Sequence, residues 1–270
     1  MQPAIAAPEA SPWLLRQVAE KESATATVAW LRRHLGGDKA VSQRDSDITP
    51  EIAGSGAKLV PSSALSEMPA AAIGRLFMTR GNQERSSCTA FKVSPDTVMT
   101  AAHCVMTRDG HWQRDLVFVT GLGTEALSAR GVQCVVVDRN WGAIGSELAP
   151  GIDYAVMSID AGTTPSYLAL DIDGTAEAVS ILGYRSDCCG NRLLEVSKRK
   201  SEISRNQNHF VSSNNLLVMG SSGSPWISQS TGKVISLNAQ YPSLGSARLN
   251  GPRFDQRTRA MLQTIQASCQ

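Results

Sequence analysis

The chain has 270 residues, 42% of them apolar and 19% charged, a balance that fills a sizeable core and excludes a disordered chain. Its formal net charge is only +2, with Lys and Arg scattered, so neither nucleic acid nor an anionic membrane is expected as a partner. No apolar stretch approaches the roughly 18 residues that a membrane-spanning helix needs.

Residues 1–10 read as an Ala/Pro arm. Ser11-Pro12 has the form of a helix start, with Ser as N-cap and Pro at the first helical position. Leu14, Leu15, Val18, Val28, Leu31 and Leu35 follow at roughly helical spacing until Gly36-Gly37 stops the run. Ser23 to Thr27 are poor helix formers, so one docking amphipathic helix or two short ones are expected. From Asp38 to Pro69 the composition shifts to Ser, Gly, Asp, Pro and Ala, a linker of the kind where proteolytic nicking concentrates. Residues 1–70 are therefore expected to be an extension, either an ordered one or a propeptide.

From Ala72 the texture changes to short β runs punctuated by turns. They are Ile73 to Thr79, Thr89 to Val93, Thr97 to Thr100, Leu116 to Thr120, Val132 to Val137 and Tyr154 to Ile159, then Ala178 to Leu182, Leu216 to Met219 and Val234 to Leu237. Short strands so spaced predict an antiparallel sandwich or a pair of barrels. Helical spacing returns only over Arg253 to Ala267, with Phe254, Met261, Leu262 and Ile265 as the expected buried face.

Six cysteines suggest an oxidising compartment. The opening Met1-Gln2-Pro3 has neither a basic start nor an apolar h-region. Either a leader lay upstream and the cysteines are paired, or the protein is cytosolic with free thiols. The first reading, secreted or periplasmic, is the expectation.

Three segments carry chemistry. Gly220-Ser221-Ser222-Gly223-Ser224-Pro225 is a tight small-residue turn that can present a hydroxyl outward while backbone N–H groups converge on one point. Alone it is weak evidence, because most Gly/Ser clusters are plain loops. His103, in Thr100-Ala101-Ala102-His103-Cys104, follows a β-like run, and Cys104 can tie its turn back to Cys88, fixing the imidazole as a general base requires. No second His or Cys stands nearby at zinc spacing, so no metal is expected. Asp153 enters the apolar strand Tyr154-Ala155-Val156-Met157, where a carboxylate needs a partner. It can satisfy turn amides, or it can orient His103 and stabilise its imidazolium.

In chain order these run His103, Asp153, Ser222. Thr-Ala-Ala-His-Cys, then Asp-x-Ala-Val, then Gly-x-Ser-Gly-x-Pro resemble the chymotrypsin-like serine peptidases over about residues 72–268. The Ala-Ile-Gly-Arg opening and the Ser-Gly-Ser-Pro ending are most similar to the bacterial glutamyl-endopeptidase-like (V8-like) branch. The resemblance implies an all-β fold of two six-stranded antiparallel barrels with a C-terminal helix and a partly helical N-terminal extension. The first barrel would span about residues 71–165, the second about 166–252 and the helix 253–267. It implies Ser222 as nucleophile, His103 as general base and then acid, Asp153 as its orienter, and the N–H groups of Gly220 and Ser222 as the oxyanion hole. The substrate would be a protein or peptide, with no cofactor.

Departures from the family matter. Trypsin-type enzymes carry an acidic residue just before the nucleophile, which pairs with a newly cut amino terminus. Here that position is Ser221, so this ion-pair switch is missing. The base of the primary specificity pocket falls on Leu216 and Leu217, and its lining strand on Asn238-Ala239-Gln240. Glutamyl-specific relatives place a histidine at about the Asn238 position, and this chain does not. With no acid there, Lys or Arg at P1 is not supported, and an apolar or small side chain is expected. His209 reads as loop surface.

Of the remaining cysteines, Cys188 and Cys189 are neighbours, and a bond between them closes a strained ring. Separate bonds to Cys134 and Cys269 are expected, with a vicinal redox disulfide or metal pair as the alternative. Two rival functions remain. One is a chymotrypsin-like fold whose site is silent and which serves only as a binding module. The other, an α/β-hydrolase esterase, fails on order, because Ser precedes Asp and His there.

Overall fold

In the computed structural model, the residues described are 11–18, 25–27, 29, 56–81, 84–124, 126–141, 150–161, 166–175, 178–186, 189–206, 208–212, 219–239 and 248–269. Two strands precede the main body. β1 (Trp13–Gln17) pairs antiparallel with a later strand over Asp138 to Cys134, and β2 (Ala57–Leu59) pairs with another at Leu194 to Val196. Over Trp13–Gln17 the start of the helix expected from Ser11-Pro12 is therefore a strand. Helix spacing in so short a run is a weak local preference, and a five-residue ladder to a distant strand outweighs it. Among the described residues of this region, 25–27 and 29 have helical backbone.

Six strands follow: β3 (Ile73–Thr79), β4 (Arg85–Lys92), β5 (Thr97–Thr100), β6 (Arg114–Thr120), β7 (Ser128–Asp138) and β8 (Ala155–Ile159). Their hydrogen-bonded order β6-β3-β4-β5-β8-β7 closes on itself through β7–β6, giving an antiparallel barrel without free edges. β7 is long enough to serve three partners. Its first part pairs with β6 over Ser128 to Gly131, and β1 takes up the same edge from Cys134 onward while β8 holds the other. Leu76, Ala90, Phe91, Val98, Met99, Val117, Val119, Val135 and Met157 on these strands are all buried and belong to one hydrophobic cluster.

The second half comprises β9 (Val179–Tyr184), β10 (Leu193–Lys198), β11 (Ile203–Arg205), β12 (His209–Ser212), β13 (Pro225–Ser228), β14 (Val234–Leu237) and β15 (Leu249–Pro252). They form a five-stranded sheet, β14-β13-β9-β10-β2, and a three-stranded sheet, β11-β12-β15. Both sheets enclose one core of Val179, Ile181, Leu194, Val196, Phe210, Trp226, Ile235 and Leu249. Phe210 and Trp226 stack there with ring centroids 6.4 Å apart.

The chain ends in helix α1 (Gln256–Ser268), capped by Asp255, whose carboxylate accepts from the Arg257 N–H at 2.8 Å. Met261 and Ile265 are buried and Leu262 is half-buried, the expected face. The helix returns to the first barrel. Arg257 binds Asp138 at 2.7 Å, Thr258 donates to the Tyr154 hydroxyl at 3.1 Å, and Cys269 bonds Cys134. That disulfide overturns the expected use of Cys134 and Cys269 as partners for Cys188 and Cys189, because docking α1 on β7 and β8 brings Cys269 against Cys134 instead, with Cα atoms 5.9 Å apart. Cys189 is itself disulfide-bonded, and Cys188 lies outside the described residues.

Candidate active site

The β5–β8 ladder pairs Thr100 with Ala155. Running forward from Thr100 and backward from Ala155 therefore leads to the same end of the barrel, where His103 and Asp153 meet. His103 lies on a one-turn 3₁₀ segment, Ala102–Cys104, preceded by the fully buried Ala101. The Cys88–Cys104 disulfide, Cα atoms 6.2 Å apart, pins that segment to β4. Asp153 follows the 3₁₀ segment Pro150–Ile152 and is fully buried.

The buried carboxylate has partners, as its desolvation demands. Asp153 Oδ2 lies 2.9 Å from His103 Nδ1, and Oδ1 accepts from the His103 backbone N–H at 3.1 Å. A carboxylate facing Nδ1 selects the tautomer protonated there, which leaves Nε2 free to accept a proton. The imidazole remains 30% exposed.

Ser222 arrives on the turn between Met219 and β13. Its carbonyl accepts from the Thr89 N–H at 2.8 Å. A Cβ on Gly223 would sit 2.1 Å from the Thr89 carbonyl oxygen, 2.4 Å from Thr100 Oγ1 and 3.2 Å from the Ala101 nitrogen. With φ of +86°, only glycine serves there. This close approach docks the turn onto the end of the first barrel, beside the segment that carries His103.

The two amides expected to form an oxyanion hole, those of Gly220 and Ser222, can be oriented from their peptide planes. The Met219 carbonyl accepts from the Ser186 N–H at 2.8 Å, so the Gly220 N–H across that trans peptide points the other way. The Ser221 carbonyl accepts from the Ser224 N–H at 3.0 Å, which likewise turns the Ser222 N–H outward. Neither N–H has a hydrogen-bond partner among the described residues. Gly220 has φ of +88°, and a Cβ there would lie 2.6 Å from the Ser186 nitrogen.

Thr89 was not singled out from sequence, yet it joins these parts. Its hydroxyl donates to the Gly220 carbonyl at 3.1 Å and accepts from the Tyr184 N–H at 2.9 Å, while its own carbonyl accepts from Thr100 Oγ1 at 2.8 Å. A threonine following a cysteine in a strand carries no signal of this. Asn238 and Ala239 are buried, with the Asn238 amide turned onto Trp226 and Ser221. Leu216, Leu217 and Gln240 lie outside the described residues, and Met219, the end of the strand expected over Leu216 to Met219, is in an exposed turn. His209 is in β12 and not in a loop, half-buried between Asn206 and Asn208, and burial pushes its imidazole below the usual histidine range. One grouping of metal-ligating residue types occurs among the described residues, Cys88, His103 and Cys104, but its two sulfurs are bonded to each other and offer no thiolate.

A sequence profile of the trypsin-like peptidase domain matches residues 88–237, more than half of the chain. The chain belongs to the trypsin-like peptidase family. By that membership this trypsin-like peptidase is a serine endopeptidase, with proteins or peptides as substrates. None of the curated protein sequences matches it. Solved structures resemble it in fold. A Glu endopeptidase shares 20% identity over 79% of this chain and 97% of its own, with a TM-score of 0.65. The protease Anisep from Arthrobacter nicotinovorans shares 20% identity over 75% of this chain and 98% of its own, TM-score 0.62. A scabies mite inactivated protease paralogue has the same fold at 13% identity, over 80% of this chain and 98% of its own, TM-score 0.59. A fold shared by active and inactivated proteins leaves the catalytic residues of this trypsin-like peptidase to be argued from its own side chains.

Proposed function

We propose that this trypsin-like peptidase cleaves peptide bonds through an acyl-enzyme on Ser222. His103 Nε2 takes the proton from the Ser222 hydroxyl as Oγ attacks the scissile carbonyl carbon. The Gly220 and Ser222 N–H groups bind the resulting oxyanion. The tetrahedral adduct collapses, the C–N bond breaks, and the imidazolium gives its proton to the leaving amine. Water then enters, loses a proton to His103 and attacks the ester, releasing the acid and restoring the Ser222 hydroxyl. Asp153 keeps the imidazole in the productive tautomer throughout. The observation that carries this reading is the 2.9 Å contact of His103 Nδ1 with a fully buried Asp153 carboxylate. A binding module has no use for that costly pair, nor for two amides beside a serine that have no partner among the described residues.

Three narrower proposals accompany it. The site falls between a first-barrel unit and a second unit built from β9 to β15, with His103 and Asp153 from one and Ser222 from the other. The P1 side chain is apolar or small, supported by the absence of any acidic residue over positions 213–219. The enzyme works outside the reducing cytosol, secreted or periplasmic, supported by the Cys88–Cys104 and Cys134–Cys269 disulfides. We further infer that residues 11–18 and 56–60 stay with the folded enzyme rather than leaving as a propeptide, because β1 and β2 each complete a sheet. Profiling cleavage across a peptide library tests the reading. Cuts after apolar or small residues, lost in Ser222→Ala, are expected; no cuts by the wild type, or cuts that survive the substitution, would overturn it.

A further inference from the structure

Buried polar groups are costly unless paired, and the interior behind the nucleophile turn holds a chain of them. Ser221, Asn238 and Trp226 are all essentially inaccessible to water. The indole N–H can only donate, and it donates to Asn238 Oδ1 at 2.7 Å. That fixes which way the amide faces and sends its Nδ2 toward Ser221 Oγ at 3.3 Å. The backbone of the same residue holds the rest of the turn. The Asn238 carbonyl accepts from the Gly223 N–H at 2.6 Å, and the Asn238 N–H donates to the Ser224 carbonyl at 2.8 Å. Ser221, Gly223 and Ser224 are thus all tied to one asparagine, and Ser222 between them is left with its N–H unbound.

We propose that Asn238 is a positioning residue that locks the oxyanion turn in its working shape. Its neutral amide on Ser221 takes the place of the ion pair that a freed amino terminus makes in trypsin-type enzymes, so the site forms without cleavage of the chain. This rests on Ser222 being the nucleophile. The lock acts through the direction of the Gly220 and Ser222 N–H groups, so it affects the transition state, where the oxyanion exists, and not the bound substrate.

The test compares Ser221→Ala, Asn238→Ala and the double variant in the full chain, assayed well below each melting temperature on one peptide substrate. Each single variant is expected to lower kcat about a hundredfold, the scale of losing one oxyanion donor, with KM within about twofold of wild type. Inhibition by a peptide aldehyde, which mimics the tetrahedral adduct, weakens in parallel. Because the two side chains act as one unit, the double variant is no worse than the poorer single one. The wild type with its α-amino group acetylated keeps full kcat. Wild-type kcat in folded Ser221→Ala, losses that simply multiply, or activation of the full chain by N-terminal cleavage would each overturn the proposal. Should Asn238→Ala fail to fold, Ser221→Ala, which removes one oxygen atom, decides alone. Ser222→Ala runs beside them: if it stays active the acyl-enzyme reading fails, whereas if it is dead while Ser221→Ala is fully active only the lock fails.

Discussion

Asp153 grips His103 at two points, with Oδ2 2.9 Å from the ring Nδ1 and Oδ1 accepting from the backbone N–H at 3.1 Å. One carboxylate therefore sets both the tautomer of the imidazole and the path of the chain that carries it. Asp153→Asn keeps the shape but offers an amide N–H to the ring and favours the wrong tautomer. A fall in kcat of about 10⁴-fold is expected, with a melting temperature close to wild type. Steady-state kinetics beside thermal unfolding separate the two effects, and a loss below about tenfold would exclude Asp153 as orienter.

Glycines at positive φ divide into two kinds. At Gly223 a Cβ meets the Thr89 carbonyl oxygen at 2.1 Å, whereas at Gly232 (φ of +68°) it meets nothing within 4 Å. Gly223→Ala should abolish activity and lower stability by several kcal/mol, since the turn must leave its dock on the first barrel. Gly232→Ala should cost only about 1 kcal/mol of backbone strain and keep full activity. Denaturant unfolding and a peptide assay on both variants check the contrast.

The Cys134–Cys269 bond closes a loop of 135 residues and fastens α1 to β7. Chain entropy gives an upper figure of about 5 kcal/mol for such a loop, and natural bonds of this kind more often contribute about 2–4 kcal/mol. Cys269→Ser should therefore melt earlier yet keep its kcat at low temperature, because α1 packs on β7 and β8 and its other ties to the barrel, Arg257–Asp138 and Thr258–Tyr154, remain. Loss of activity with unchanged stability would contradict that.

Burial pushes the Tyr154 phenol well above its ordinary value of 10. The folded state holds that proton after the unfolded chain releases it. The contribution is complete below pH 10 and declines as pH rises further, at about 1.4 kcal/mol per pH unit. Tyr154→Phe has no such proton. Its deficit relative to wild type, measured by denaturant unfolding at pH 8 and pH 11, should shrink at the higher pH; an unchanged deficit would show that the phenol titrates alike in both states.

Removing residues 1–20 takes β1 from the β7 edge over Cys134 to Asp138 and uncovers unpaired strand. The truncated chain should be less stable and more prone to associate, with no gain in kcat. A marked activation would restore the propeptide reading.

Local signals were legible where strand and core pattern coincide. β3, β5 and β14 have the bounds expected from their apolar runs, and His103 and Asp153 are brought together as their motifs implied. β11 and β12 are too short and polar to give a local signal, and in β10 the alternation Leu194-Glu195-Val196-Ser197 spans only four residues. β1 was misread because pairing with β7, some 120 residues away, leaves no local mark. The same holds for Thr89 and Asn238, whose importance lies in what they touch across the fold, and for Cys134, whose partner depends on where α1 docks.

The most direct measurement is labelling of the full chain with a fluorophosphonate probe, followed by mapping of the modified peptide by mass spectrometry. One phosphonyl group on Ser222, absent from both Ser222→Ala and His103→Ala, is the expected result. An unlabelled wild type, or a label on any other residue, would contradict a nucleophile at Ser222 activated by His103.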